Sequence, residues 1–178
     1  MPNEISTNMR YKSKLPGSSL RKSIFGFTVI EMMVVIAIFA ILATIAIPSS
    51  MGRIVKQQIV AAMPLADIAK TPIAANWKLE KALLTDNESA GLPEHNKIVN
   101  NYVSDVLVEN GAIHMTFGNK AHNVIKGKVL SLRPAVIEES PIVPVTWVCG
   151  NAKAPEPMTV MGANKTNVAP EYLPYICK

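Results

Sequence analysis

The 178 residues leave room for one globular domain beside any membrane anchor. The formal charge of +5 suggests a nucleic-acid binder, but five of the 18 basic and one of the 13 acidic residues lie within 1–26. From residue 27 onward the balance is 13 against 12, too close to neutral for a strong electrostatic case for DNA.

Residues 1–26 carry Arg10, Lys12, Lys14, Arg21 and Lys22 against Glu4, and contain no apolar block. From Phe27 to Ile47 the chain reads FTVIEMMVVIAIFAILATIAI, 21 residues in which only Thr28, Glu31 and Thr44 are polar. As an α-helix this run is roughly 30 Å long, the thickness of a bilayer core. In a secretory signal peptide the apolar segment precedes the cut and leaves with it. Here the basic segment comes first, so a cut at the boundary keeps the helix on the product. The basic leader suits the cytoplasmic side of a membrane. A lone carboxylate in lipid costs on the order of a few kcal/mol, so Glu31 is expected to have a partner. On apolarity alone, a plain anchor with a basic tail reads equally well.

The placement of Gly26-Phe27-Thr28-Val29-Ile30-Glu31 ahead of an unbroken apolar run resembles the N-terminus of a type IV prepilin. The resemblance implies cleavage between Gly26 and Phe27 by a membrane prepilin peptidase, then methylation of the new Phe27 amine. It also implies that Glu31 neutralises the terminal amine of an adjacent subunit when the helices bundle in a filament. A carboxylate kept protonated in lipid is the alternative for Glu31 before assembly. A 26-residue leader is long for the subclass that begins with phenylalanine, and Met9 offers a second start.

The helical pattern continues beyond Ile47, with Pro48 as a kink rather than a stop. Val55, Ile59 and Met63, then Ala62, Ala66, Ala69, Ile73 and Trp77, recur at spacings of three and four. Arg53, Lys56, Gln57, Asp67, Lys70 and Asn76 lie between them, which makes an amphipathic helix with one face to bury. Bends are expected at Pro64 and Pro72, or a break near Pro72. The helix is expected to fade by Leu84, where Thr85–Pro93 has the composition of a loop.

Tyr102–Val108 and Ala112–Phe117 flank Glu109-Asn110-Gly111, and Asn-Gly is a strong hairpin signal. Ile113, Met115 and Phe117 share one face, with His114 and Thr116 on the other. Lys128–Arg133 and Pro144–Cys149 supply two more strands. Four short strands with one apolar face need a cover, and the long helix provides it. The predicted fold is α+β: a long N-terminal helix on a four-stranded antiparallel sheet, with a cysteine-closed C-terminal loop.

Cys149 and Cys177 bracket a segment rich in Pro, Asn and Gly. An even count in a segment moved out of the cytoplasm reads as one disulfide. Closing about 28 residues contributes roughly 3.5 kcal/mol in the chain-entropy model, to a loop expected to make few core contacts. Trp147-Val148-Cys149-Gly150 followed by Tyr172–Cys177 is similar to the cysteine-bounded end of type IV pilins.

His95, His114 and His122 lack ligand spacing and read as solvated or strand-surface residues, so no metal is expected. Glu138-Glu139 reads as a turn. No phosphate loop and no other cofactor motif is present, and enzyme activity is not expected. The expected organisation is a leader over 1–26, a transmembrane and filament-core helix over 27–47, and a globular domain over 48–178. The resemblance implies a structural subunit of a type IV pilus for adhesion and twitching-type motility. Its partners would be copies of itself and related pilins, the prepilin peptidase/methyltransferase, the assembly machinery and, before assembly, the inner membrane. The alternatives are a minor or DNA-uptake pilin and a pseudopilin of a type II secretion system. Lys120, Lys126, Lys128 and Arg133 form a possible basic patch, more simply read as a solvated sheet edge.

Overall fold

The computed structural model describes residues 26–178, apart from the side chains of residues 45–50. The leader therefore lies outside the described residues except for Gly26. The chain divides between Ala40 and Ile41 into two compact units. Helix α1 (Val29–Ala62) begins in the first and passes Pro48 without stopping. It gives way to a 3-10 turn over Met63–Ala66, and α2 (Asp67–Glu80) follows.

The interruption falls at Pro64 and not at Pro72. Pro64 has no N–H to offer the preceding turn, and its ring crowds the carbonyl four residues back. Pro72 lies inside α2 and is accommodated there. Ala69, Ile73 and Trp77 are buried on either side of it, so packing holds the helix where the missing bond would release it. The helix ends at Glu80, somewhat earlier than expected. Lys81 adopts the left-handed conformation (φ 52°) and donates its N–H to the Trp77 carbonyl.

In the second unit, Val55, Ile59, Ala62, Ala66, Ala69 and Ile73 form one buried row, all at 0 % exposure. They share a core with Val106, Ile113, Met115, Phe117, Leu130 and Leu132 of the sheet. The strands are β1 (Val103–Glu109), β2 (Ala112–Phe117), β3 (Val129–Val136) and β4 (Thr146–Cys149), antiparallel in the order β1-β2-β3-β4. Asn110 (φ 48°) and Gly111 (φ 80°) turn the first hairpin, as the Asn-Gly pair predicts. Pairing places Ile113 opposite Leu132 and Met115 opposite Leu130, which keeps the apolar residues on the helix side.

Strand β3 runs three residues past Arg133. Pro134 obscured this extension, because proline removes a ladder donor. Its carbonyl accepts the Met161 N–H at 2.8 Å. Beside that extension lies β5 (Thr159–Val160), which the sequence reading missed; Val160 pairs with Ala135 and Thr159 with Val136.

The C-terminal segment is also more deeply embedded than expected. Val168, Leu173 and Cys177 belong to the core, and the Cys149–Cys177 disulfide is formed. Lys165 donates its backbone N–H to Ser131 Oγ at 2.9 Å, and Asn167 Oδ1 accepts from Val129 at 2.6 Å. These bonds hold the segment along β3, and the Lys165 side chain reaches from there to Glu109 on β1, over the sheet face that the helix leaves open. His114 is consequently buried at 3 % exposure instead of lying on a strand surface.

Candidate assembly site at the start of the first helix

Thr28 precedes the first residue of α1, and Glu31 is the third residue inside it. The Glu31 N–H donates to Thr28 Oγ1 at 3.2 Å, and the Thr28 N–H donates to Glu31 Oε2 at 3.4 Å. This is a capping box, in which two backbone donors that a helix start leaves unpaired are satisfied reciprocally. The acidic side chain also lies at the positive end of the helix dipole. The spacing Thr-x-x-Glu carries this signal in the sequence.

Beyond the cap the helix is apolar on all sides. From Gly26 to Thr44 every side chain is exposed except that of Val35, which is half-buried. Phe27 is 73 % exposed, Ile36 62 % and Phe39 65 %. A helix that is apolar all round is stable only inside protein or lipid. Thr44 returns its hydroxyl proton to the Ile41 carbonyl at 2.7 Å, so it makes no demand on an apolar surrounding. Among the described side chains up to Thr44, the Glu31 carboxylate is the one that does. Among the described residues no helix is long and apolar enough to cross a membrane. The described side chains of α1 in this run cover 29–44, about four residues short of a typical span.

The other residues considered for chemistry lie elsewhere. Cys149 and Cys177 are both buried, at 4 % and 0 %. Gly150 beside them sits at φ 57°, and a Cβ there would come within 2.6 Å of the Cys177 carbonyl, so the crossing requires glycine. Glu138 and Glu139 are exposed in a turn. His95 pairs with Asp105 at the surface, and the His122 backbone N–H donates to Gln58 Oε1 at 2.9 Å. Among the described residues no group of three or more His, Cys, Asp or Glu could hold a metal ion.

A serine, a histidine and a carboxylate do come into line. His114 Nδ1 lies 2.9 Å from Ser131 Oγ, and its Nε2 lies 3.4 Å from Glu109 Oε2, which also pairs with Lys165. Ser131 Oγ also accepts the Lys165 N–H, and a proton given from it to Nδ1 would leave Nε2–H facing Glu109. Ser131 is 0 % exposed, which leaves a nucleophile no access to substrate. The cluster fastens the C-terminal segment to the sheet. Burial, reinforced by the Lys165 cation, lowers the His114 pKa against the opposing pull of Glu109. Lys165 lowers that of Glu109.

Residues 21–47 match the prokaryotic N-terminal methylation motif, and residues 55–178 match the pilin family of bacterial filaments. The chain belongs to the type IV pilin family. It is 33 % identical over 159 residues to the type IV major pilin protein PilE of Neisseria gonorrhoeae, covering 86 % of this chain and 93 % of that protein. A fimbrial protein of Neisseria meningitidis serogroup A is 32 % identical over 162 residues, with 86 % and 93 % covered. The fimbrial protein EcpC of Eikenella corrodens is 30 % identical over 158 residues, with 86 % and 90 % covered. The pilin family is a structural filament family and not a family of enzymes.

Proposed function

We propose that this pilin is made as a precursor held in the inner membrane by residues 27–47, cut between Gly26 and Phe27, and methylated on the Phe27 amine. It then packs α1 against the same helix of neighbouring copies and related pilins in a surface filament that serves adhesion and twitching-type motility. The prepilin peptidase/methyltransferase and the pilus assembly machinery are its partners on that route, and it has no catalytic role of its own. The observation that carries this reading is the apolar, exposed start of α1 with one carboxylate in it. Exchanging lipid for protein around such a helix gains little hydrophobic free energy, so specific contacts must set the register. Glu31 supplies one by pairing with the Phe27 amine of a neighbour.

The names of the relatives favour a major subunit, and the disulfide-closed C-terminal segment favours a pilin over a pseudopilin. Mass spectrometry of filaments sheared from cells provides the test. The expected product begins at methylated Phe27 and is the most abundant species. A filament-associated chain that retains Arg21 and Lys22, or one cut beyond Ile47, would refute the processing step.

A further inference from the structure

Two stretches of this chain carry no carboxylate at all. Between Glu31 and Asp67 the charged residues are Arg53 and Lys56, and between Glu109 and Glu138 they are Lys120, Lys126, Lys128 and Arg133. The fold brings the two stretches together. The β2–β3 loop docks on α1 through the His122 N–H, which donates to Gln58 Oε1 at 2.9 Å. The β1–β2 turn lies at the opposite end of the sheet, where Asn110 and Gly111 donate to the carbonyls of Thr85 and Leu84. Arg53, Lys56, Lys120, Lys126 and Lys128 therefore gather at one end of the globular unit. Arg133 does not join them as a free cation, because its Nη2 donates to the Gly150 carbonyl at 3.0 Å. Lys120, Lys126, Lys128 and Arg53 are exposed, and among the described residues none of the five cations has a carboxylate partner.

The position of this end in the chain selects its partner. Arg53 and Lys56 follow Ile47, the end of the apolar run, by six and nine residues. At the helical rise that is about 9 and 14 Å, roughly the depth of the headgroup layer and its ionic atmosphere. We infer that Arg53, Lys56 and the Lys120–Lys128 loop form a docking surface for the anionic phospholipid headgroups of the membrane that holds the subunit before assembly. This inference rests on the membrane-anchored precursor proposed above. A near-neutral mature charge is no obstacle, because a basic end needs only local excess to hold acidic lipid. Departure into a filament would exchange these headgroup contacts for protein.

The full chain, incorporated into phosphatidylcholine vesicles with or without 30 % phosphatidylglycerol (about a third anionic lipid), tests the inference. Flotation reads the anchor, and amine-labelling rates by mass spectrometry read the patch. The expected result is flotation with both vesicles and at least a threefold slower labelling of Lys120, Lys126 and Lys128 with phosphatidylglycerol. Lys78 and Lys81, at the other end of the unit, should be unaffected, and high salt should abolish the protection. Failure to float with either vesicle would remove the anchor and the inference together. Flotation with equal labelling on both would overturn the inference and leave the anchor standing. Stronger protection of the same lysines by duplex DNA at equal phosphate concentration would overturn it in favour of nucleic acid. The variant K120Q/K126Q/K128Q should float as the parent does, while its Lys56 should keep at most half of the protection that phosphatidylglycerol gives Lys56 in the parent.

Discussion

The Glu31 carboxylate and the Thr28 hydroxyl each accept the other residue's backbone N–H, so one acidic side chain both caps α1 and carries the charge of its apolar start. The two contributions separate by substitution. Glu31→Gln preserves the capping pattern and removes the charge, whereas Glu31→Val removes both. If the charge sets register between subunits, both variants should insert into the membrane at least as well as the parent and yield few filaments when each is the only copy. Thr28→Ala should cost about 1 kcal/mol of helix-start stability and leave assembly largely intact. Filament yield on sheared cells checks all three. Normal filaments from Glu31→Gln would assign the carboxylate to capping alone.

Loss of the disulfide should reach further than the segment it closes. Cys149→Ser in the exported protein should lower stability by about 2–5 kcal/mol. Hydrogen exchange should quicken at β3 as well as at 164–177, because Lys165 and Asn167 bond to that strand. Exchange that quickens only beyond Cys149 would show that the segment is an appendage and not part of the core.

Acid should loosen the clamp around His114. Its folded pKa lies below the ordinary 6.5, so on acidification the unfolded chain takes up that proton first. The neutral imidazole therefore contributes stability that is present above pH about 6.5 and lost as pH falls through the folded pKa. Glu109, with its own pKa lowered by Lys165, remains ionised over that range. Denaturant midpoints between about pH 7.5 and about pH 5, on either side of the histidine pKa, should fall less steeply for His114→Gln than for the parent. Parallel curves would remove His114 from the pH response.

Pro72 offers a stabilising change. It sits inside α2, and Ala in its place restores a helical donor and relieves the ring. Pro72→Ala should raise stability by about 1 kcal/mol or more, the gain being offset in part by a freer unfolded chain. A lower melting temperature would mean that α2 depends on a bend there.

Periodicity was enough to identify the helix face and the first hairpin, because Val55 to Trp77 repeats at helical spacing and Asn-Gly admits few alternatives. The cysteine pair was legible from its count and compartment. Features that depend on distant partners were not. The burial of His114 depends on Lys165, 51 positions further along the chain and paired with Glu109, and no local pattern around His114 shows that. Asn87 was similarly hidden in a stretch read as loop. It is 7 % exposed, bonds the Pro93 and Val106 carbonyls and accepts from Val108, pinning that loop to β1. Pro72 misled for the opposite reason, since tertiary packing overrode a local penalty. At Thr28 and Glu31 the signal is local, but one carboxylate serves both as a cap and as a charge in an apolar run, and the spacing alone does not separate the two.

The row of buried helix residues has a graded width. Ala62, Ala66 and Ala69 occupy its middle, and Ile59 and Ile73 flank them. Small side chains allow close approach at the middle of the row, and branched side chains fill more space on either side of it. Sliding α1 or α2 by one turn would bring Ile59 or Ile73 to a position that an alanine fills, and such overpacking costs about 1–3 kcal/mol. The spacing of small and large side chains thus acts as a notch, holding the helix at one axial setting on the sheet.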